Sequence, residues 1–259
     1  MSEAQITPMP LEGAGKPDVA PRPPFLLLFG GTFDPPHAGH VELPVRVRDE
    51  LERQAGCAGA AWLVYVPAAR SPHKQRGPAA KDADRVEMLR LALEGVPRAC
   101  IWTDEIDRAS RMSGDDPSYT LDTLRRARGW LDANGMSETE LRLLIGADQA
   151  VSFDRWRGPR EIIAIARPAV MVRGDVADAD DLVRRLRQTR FWRKEDLERW
   201  RDGMVSVGRL DVSATRVREA LRGGDREEIG RWLAPNVARY IRERGLYGET
   251  SPEEEPAGS

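Results

Sequence analysis

Residues 25–40 read FLLLFGGTFDPPHAGH. Six apolar or small residues without alternation, Phe25–Gly30, suit a strand buried on both faces of a parallel sheet. Gly30, Gly31, Thr32 and Phe33 then lead into Asp34-Pro35-Pro36, which turns the chain, and a helix is expected from about His37. Two glycines let the backbone approach a ligand closely and aim N–H groups at it. Parallel sheets bind ligands at the carboxyl ends of their strands, where this turn lies. His37 and His40, three residues apart, share one face of the first helical turn. There the helix dipole already favours an anion, and imidazole N–H groups can reach phosphate oxygens. A tight turn followed by two surface histidines is the plainer reading of the same residues.

The rest of the chain extends this pattern. Further strands are expected at Trp62–Val66, Ala99–Thr103, Leu141–Ile145, Ala169–Val172 and Val205–Val207. Helices are expected at about 38–54, 82–94, 118–133, 159–166, 179–189, 214–222 and 234–244. Strand–helix alternation predicts an α/β, doubly wound, mainly parallel sheet, with a small helical part at the C-terminus. Residues 1–24, rich in Pro, Gly and Ala, read as a disordered arm, and 249–259 as a disordered acidic tail. The single domain is then 25–248. Residues 174–204 are charged and helical in pattern and carry Phe191, Trp192 and Trp200, as a helical insertion packing its aromatics on the main body, or a lid or subunit contact, does.

Composition narrows the classes of function. In 259 residues, 40 Lys+Arg oppose 42 Asp+Glu, for a net charge of −2, which argues against a general nucleic-acid coat. No apolar run approaches a membrane span, and the N-terminus lacks the apolar core of a secretory signal. Two cysteines, Cys57 and Cys100, are too few for a disulfide framework or a cysteine metal site, so a reduced, cytoplasmic compartment is expected. Lysine occurs only at 16, 74, 81 and 194, leaving 36 arginines. The three histidines are His37, His40 and His73.

Four more segments carry candidate chemistry. Ser71-Pro72-His73-Lys74 follows the second strand, where an imidazole and an ammonium on a Pro-stiffened loop suit a phosphate. Ser118-Tyr119-Thr120 opens a helix and also reads as a cap. Gly146-Ala147-Asp148, followed by Phe153 and Trp156, puts a carboxylate at a strand end where ribose hydroxyls could be held; Trp156 by itself reads as core, the default for a lone Trp. Ser213 reads as the N-cap of a helix with Thr215 and Arg216 in its first turn. A cation there opposes the dipole, and a bound polyphosphate would remove the conflict.

Together, GGTFDPPHAGH, SPHK, Arg85…Met88, SYTLDTL, GADQ…FDRW, VSATRVR and YIRERGLY resemble the nicotinate-nucleotide adenylyltransferase family of the HxGH nucleotidyltransferases, over about residues 25–248. The resemblance implies a Rossmann-like nucleotidyltransferase fold and transfer of an adenylyl group from ATP, carrying Mg²⁺, to nicotinate mononucleotide. It implies ATP contacts from Gly30, Gly31, Thr32, Phe33, His40, Ser213, Thr215 and Arg216, with Asp148 facing a ribose, and catalysis through His37, His40 and Arg216. His73, Lys74, Tyr119, Thr120 and Trp156 would hold the mononucleotide, Trp156 by stacking on the pyridine ring. No protein-held metal site, nucleic acid or membrane partner is implied, and a homo-oligomer is left open. The chain departs from the family at Pro36, where Ile is usual, at Ala214, where Ser is usual, and in its longer 174–204. Nicotinamide mononucleotide as substrate and a retired nucleotide-binding scaffold are the other readings.

Overall fold

A computed structural model of the chain describes residues 9–10, 22–69, 78–111, 118–172, 176–208 and 210–248. His73, Lys74 and the 249–259 tail lie outside those residues, as does most of the N-terminal arm. Met9, within that arm, is buried in the main core.

Strand β1 (Phe25–Gly31) runs into helix α1 (Ala38–Ala55), followed by β2 (Trp62–Pro67), α2 (Asp82–Ala92) and β3 (Ala99–Ile101). Helices α3 (Asp104–Arg111) and α4 (Thr120–Ala133) lead back to β4 (Glu140–Gly146). Then come α5 (Ala147–Val151), a 3-10 turn at Phe153–Arg155, α6 (Pro159–Ile165) and β5 (Arg167–Met171). Helices α7 (Ala179–Gln188) and α8 (Lys194–Asp202) connect β5 to the short β6 (Met204–Val205). The chain closes with α9 (Ala214–Gly223), α10 (Arg226–Trp232) and α11 (Pro235–Glu243).

All six strands pair in parallel, in the order β3-β2-β1-β4-β5-β6. The sheet is doubly wound: it grows outward from β1 to β3, then from β4 to β6 in the other direction. Alternation of side chains along β1 explains its two cores. Leu26 and Leu28 of β1 join one apolar cluster, with α4, α6, α7 and α8, while Phe25, Leu27 and Phe29 join another, under α1. A third cluster packs α9, α10 and α11 against Met88 of α2.

Residues 176–203 lie in the β5–β6 connection. Trp200 is fully buried, and its ring meets Phe153 edge-on at 5.0 Å, with Trp192 at 5.5 Å from Trp200. Trp192, between α7 and α8, and Trp200 of α8 therefore belong to the same core as Phe153 of the 3-10 turn.

Candidate active site

The opposite-direction windings of the sheet part between β1 and β4, and a cavity of about 650 Å³ opens there at the carboxyl ends of the strands. This is the switch point at which doubly wound sheets bind ligands. Gly30, Gly31, Thr32, His37 and His40 line one part, Ser213, Ala214, Thr215 and Arg218 another, and Tyr119, Thr120 and Trp156 a third.

The β1–α1 turn is held rigidly by groups far away in sequence. The Asp34 carboxylate accepts the N–H groups of Ala79 (2.7 Å) and Ala80 (3.1 Å) and the Tyr247 hydroxyl (2.6 Å). Burial, followed by this carboxylate, pushes the Tyr247 phenol well above its usual range, so the hydroxyl stays a donor. Arg85, fully buried, donates to the carbonyls of Thr32 (2.6 Å) and Ala68 (2.7 Å). These charged hydrogen bonds fix the backbone on both sides of the cavity.

His37 and His40 stack with ring centroids 3.8 Å apart. The His37 backbone N–H donates to His40 Nδ1 at 3.4 Å, which places the proton of the neutral His40 ring on Nε2. Phe33 braces the pair, its ring edge-on to His40 at 5.2 Å. Phe33 is fully buried at φ 48°, a left-handed conformation costly for a bulky residue, and packing against Phe29 and Tyr65 offsets it. A Cβ on Gly31 would sit 2.9 Å from the Phe33 ring, so this glycine is required by packing; beside Gly30 there is open space. Phe33 thus supports the site from the core, and its side chain is not in the cavity wall.

Two other expected contacts lie elsewhere. Arg216 is exposed and bound through Nε and Nη2 to Glu228, 2.9 Å each, and does not line the cavity. Arg218 does: it donates to the Asp34 carbonyl at 2.6 Å and to the Thr215 hydroxyl at 3.2 Å. The helix period explains the exchange, because Thr215 and Arg218 are i, i+3 neighbours on one face of α9 and Arg216 is not. Ser213 caps α9, accepting the Arg216 N–H at 3.2 Å. Asp148 is exposed in the first turn of α5 and outside the lining, whereas its neighbour Gln149 is within it.

On the far side, Trp156 stacks on the buried Phe153, ring centroids 4.5 Å apart and planes 23° apart. Tyr119 carries the Arg157 guanidinium 4.6 Å above its ring. Glu105 is a residue that sequence reading misses, since a lone Glu in a charged helix carries no signal. It is buried, lines the cavity and accepts the Thr123 hydroxyl at 2.6 Å. Burial pushes its carboxyl above the usual range, against the pull of Thr123 and Arg108.

Comparison with known proteins places this arrangement. The cytidylyltransferase-like family model matches residues 28–220. A probable nicotinate-nucleotide adenylyltransferase of Laribacter hongkongensis (strain HLHK9) is 40% identical over 236 residues, covering 87% of this chain and 95% of that protein. The chain belongs to the nicotinate-nucleotide adenylyltransferase family. A second member, from Marinobacter nauticus (strain ATCC 700491 / DSM 11845 / VT8), is 31% identical over 86% of this chain and 96% of its own length. The same fold occurs in the Plasmodium falciparum nicotinic acid mononucleotide adenylyltransferase complexed with NaAD, at a TM-score of 0.60, 16% identity and coverage of 87% and 98% of the two chains. No helix among the described residues is long and apolar enough to cross a membrane.

Proposed function

We propose that this member of the family transfers the adenylyl group of ATP to nicotinate mononucleotide, giving deamido-NAD and pyrophosphate as a cytoplasmic step of NAD biosynthesis. The observation that carries the reading is the division of one cavity into two chemistries. Glycine, imidazole, hydroxyl and guanidinium groups gather at the Gly30–His40 and Ser213–Arg218 end, and aromatic rings at the Tyr119–Trp156 end. The first suits a triphosphate and the second a pyridine ring.

Mg²⁺ is the ion such a transfer calls for. Among the described residues no group of three or more His, Cys, Asp or Glu side chains could hold a metal. Among the described residues the one carboxylate in the cavity lining, Glu105, is engaged by Thr123. These donors do not fit a resident cation, so the ion belongs with the phosphate oxygens of ATP.

An oxygen of the mononucleotide 5′-phosphate attacks the α-phosphorus of ATP. A new P–O–P bridge forms as the bond to the β-phosphate oxygen breaks, and pyrophosphate leaves with the electron pair. The nucleophile is already ionised at neutral pH, so no general base is required. The chain then has to position both substrates and neutralise charge at the α-phosphate and the leaving group. His40 Nε2–H and His37 serve the transferring phosphoryl group. Arg218, with Ser213 and Thr215 beside it, takes the role for which sequence favours Arg216. Gly30 leaves room for a phosphate against the backbone. Trp156, on its Phe153 base, provides the ring platform, with Tyr119 and Thr120 at its side. Incubation of the protein with Mg·ATP and nicotinate mononucleotide, with product separated by chromatography, is expected to yield stoichiometric deamido dinucleotide and pyrophosphate. Nucleotide binding without turnover would identify a scaffold instead.

A further inference from the structure

Arg155 closes the 3-10 turn that carries Trp156 into the cavity, and both residues line it. The other arginines in that lining have partners. Arg157 stands 3.6 Å from the Asp122 carboxylate and over the Tyr119 ring, and Arg218 is bound to Asp34 and Thr215. Among the described residues, no hydrogen bond, carboxylate or aromatic ring engages the Arg155 guanidinium. As far as the described residues go, all five of its donors remain for a ligand.

Its position selects the ligand group. In the function proposed above, on which this inference rests, phosphates lie at the His40 and Arg218 end and the pyridine ring lies on Trp156. An anion next to Trp156 is then the ring substituent, not a phosphate. We infer that Arg155 is a specificity-determining residue that reads the ring carboxylate of the mononucleotide and disfavours a carboxamide there. A guanidinium meets a carboxylate with two parallel N–H···O bonds. Facing a carboxamide, it opposes donor to donor at the NH₂ group and loses the charge attraction as well.

A second cavity, of about 520 Å³, offers the Arg155 side chain another destination, beside Arg184 and Arg185 of α7. Both of those arginines are already paired with Asp181. That cavity is lined by Asp154 as well, whereas the carboxylates near the ring end of the active cavity, Glu105 and Asp122, are engaged by Thr123 and Arg157.

The test compares kcat/KM for nicotinate and nicotinamide mononucleotides, each with Mg·ATP, in the wild type and in Arg155→Gln and Arg155→Lys. Arg155 is exposed, so neither change threatens folding. Arg155→Gln is expected to lose about 10- to 100-fold on nicotinate mononucleotide and to keep the nicotinamide value within about two-fold. Arg155→Lys should fall between it and the wild type. Equal losses on both substrates, as a phosphate contact would give, overturn the inference. So does no loss on either, as the second cavity would give; in both cases the proposed function stands. A wild type that forms no deamido dinucleotide overturns the function itself, and the inference with it.

Discussion

Arg216 and Glu228 join the outer side of α9 to α10 through two hydrogen bonds of 2.9 Å, which turns the Arg216 charge away from the cavity that Arg218 enters. Neighbouring arginines in one motif therefore carry different loads. Arg218→Ala is expected to lower kcat/KM for ATP by about 10²-fold or more, as loss of a cation at a transferring phosphate does. Arg216→Ala should leave ATP kinetics within about two-fold. Steady-state kinetics on the two variants, with melting temperatures read with and without Mg·ATP, decide the matter: the ATP-induced rise should shrink only for Arg218→Ala. The reverse pattern would return the phosphate clamp to Arg216.

His40 lies between the stacked His37 ring and the Phe29 and Phe33 rings, so its loss removes a donor without removing a strut of the sheet. His40→Ala is expected to reduce kcat by about 10²- to 10³-fold, the scale for one donor to developing charge, with the melting temperature little changed. Near-normal turnover in this variant would take the imidazole out of the chemistry.

For Trp156→Ala the effect should fall on one substrate. Base-on-aromatic stacking contributes about 1–3 kcal/mol, so KM for the mononucleotide should rise about 5- to 150-fold while that for ATP stays close to its original value. Equal effects on both substrates would make Trp156 a packing residue. Trp200→Ala, which removes a ring 5.0 Å from Phe153, should weaken the same substrate more gently while lowering stability.

Gly39→Ala offers a test in which local and tertiary effects have opposite signs. Within α1, Ala is the better helix former by about 1 kcal/mol. A Cβ there would nevertheless lie 2.9 Å from Val212 Cγ1 and 3.1 Å from the His37 ring. The expected outcome is a clear loss of turnover, measured at saturating substrates, from a displaced His37 and a shifted approach to α9. Undiminished activity would show that Val212 yields.

Glu105 gives the stability curve a sign. Its carboxyl titrates above the ordinary 4.5 because burial disfavours the charged form. Its contribution is therefore full below the unfolded value and is lost as pH rises through the raised folded value. Glu105→Gln keeps an acceptor for Thr123 and removes the charge. The variant should gain stability relative to wild type on going from acid to pH 8, followed by denaturant melts at each pH. A constant difference between the two proteins would place the titration elsewhere.

Most of the sheet was legible because uninterrupted apolar runs have few alternatives once they are too short for helices. β5 begins at Arg167-Pro168, residues that no strand pattern selects, and its pairing with β4 decides the start. α3, α5 and α10, each of eight residues or fewer, escaped the periodic reading; α6 is as short and was legible, with Pro159 marking its start. In the site, the glycines, both histidines and Trp156 were visible as types in order. The choice between Arg216 and Arg218 was not, since it depends on which face of α9 the fold turns inward. Nor was Glu105, whose burial arises from the packing of α3 beside α4, 18 residues away at Thr123.

The Asp34 anchor bears on how the protein is made. Its carbonyl waits for Arg218, 184 positions later, and its carboxylate for Tyr247, 213 positions later. A nascent chain can bring Ala79, Ala80 and Arg85 to the β1–α1 turn well before Arg218 and Tyr247 complete its set of partners. Contacts this remote in sequence slow the final closure of the native state. A chain ended before Tyr247 keeps the Ala79, Ala80 and Arg85 contacts at this turn and lacks the hydroxyl donor to the Asp34 carboxylate.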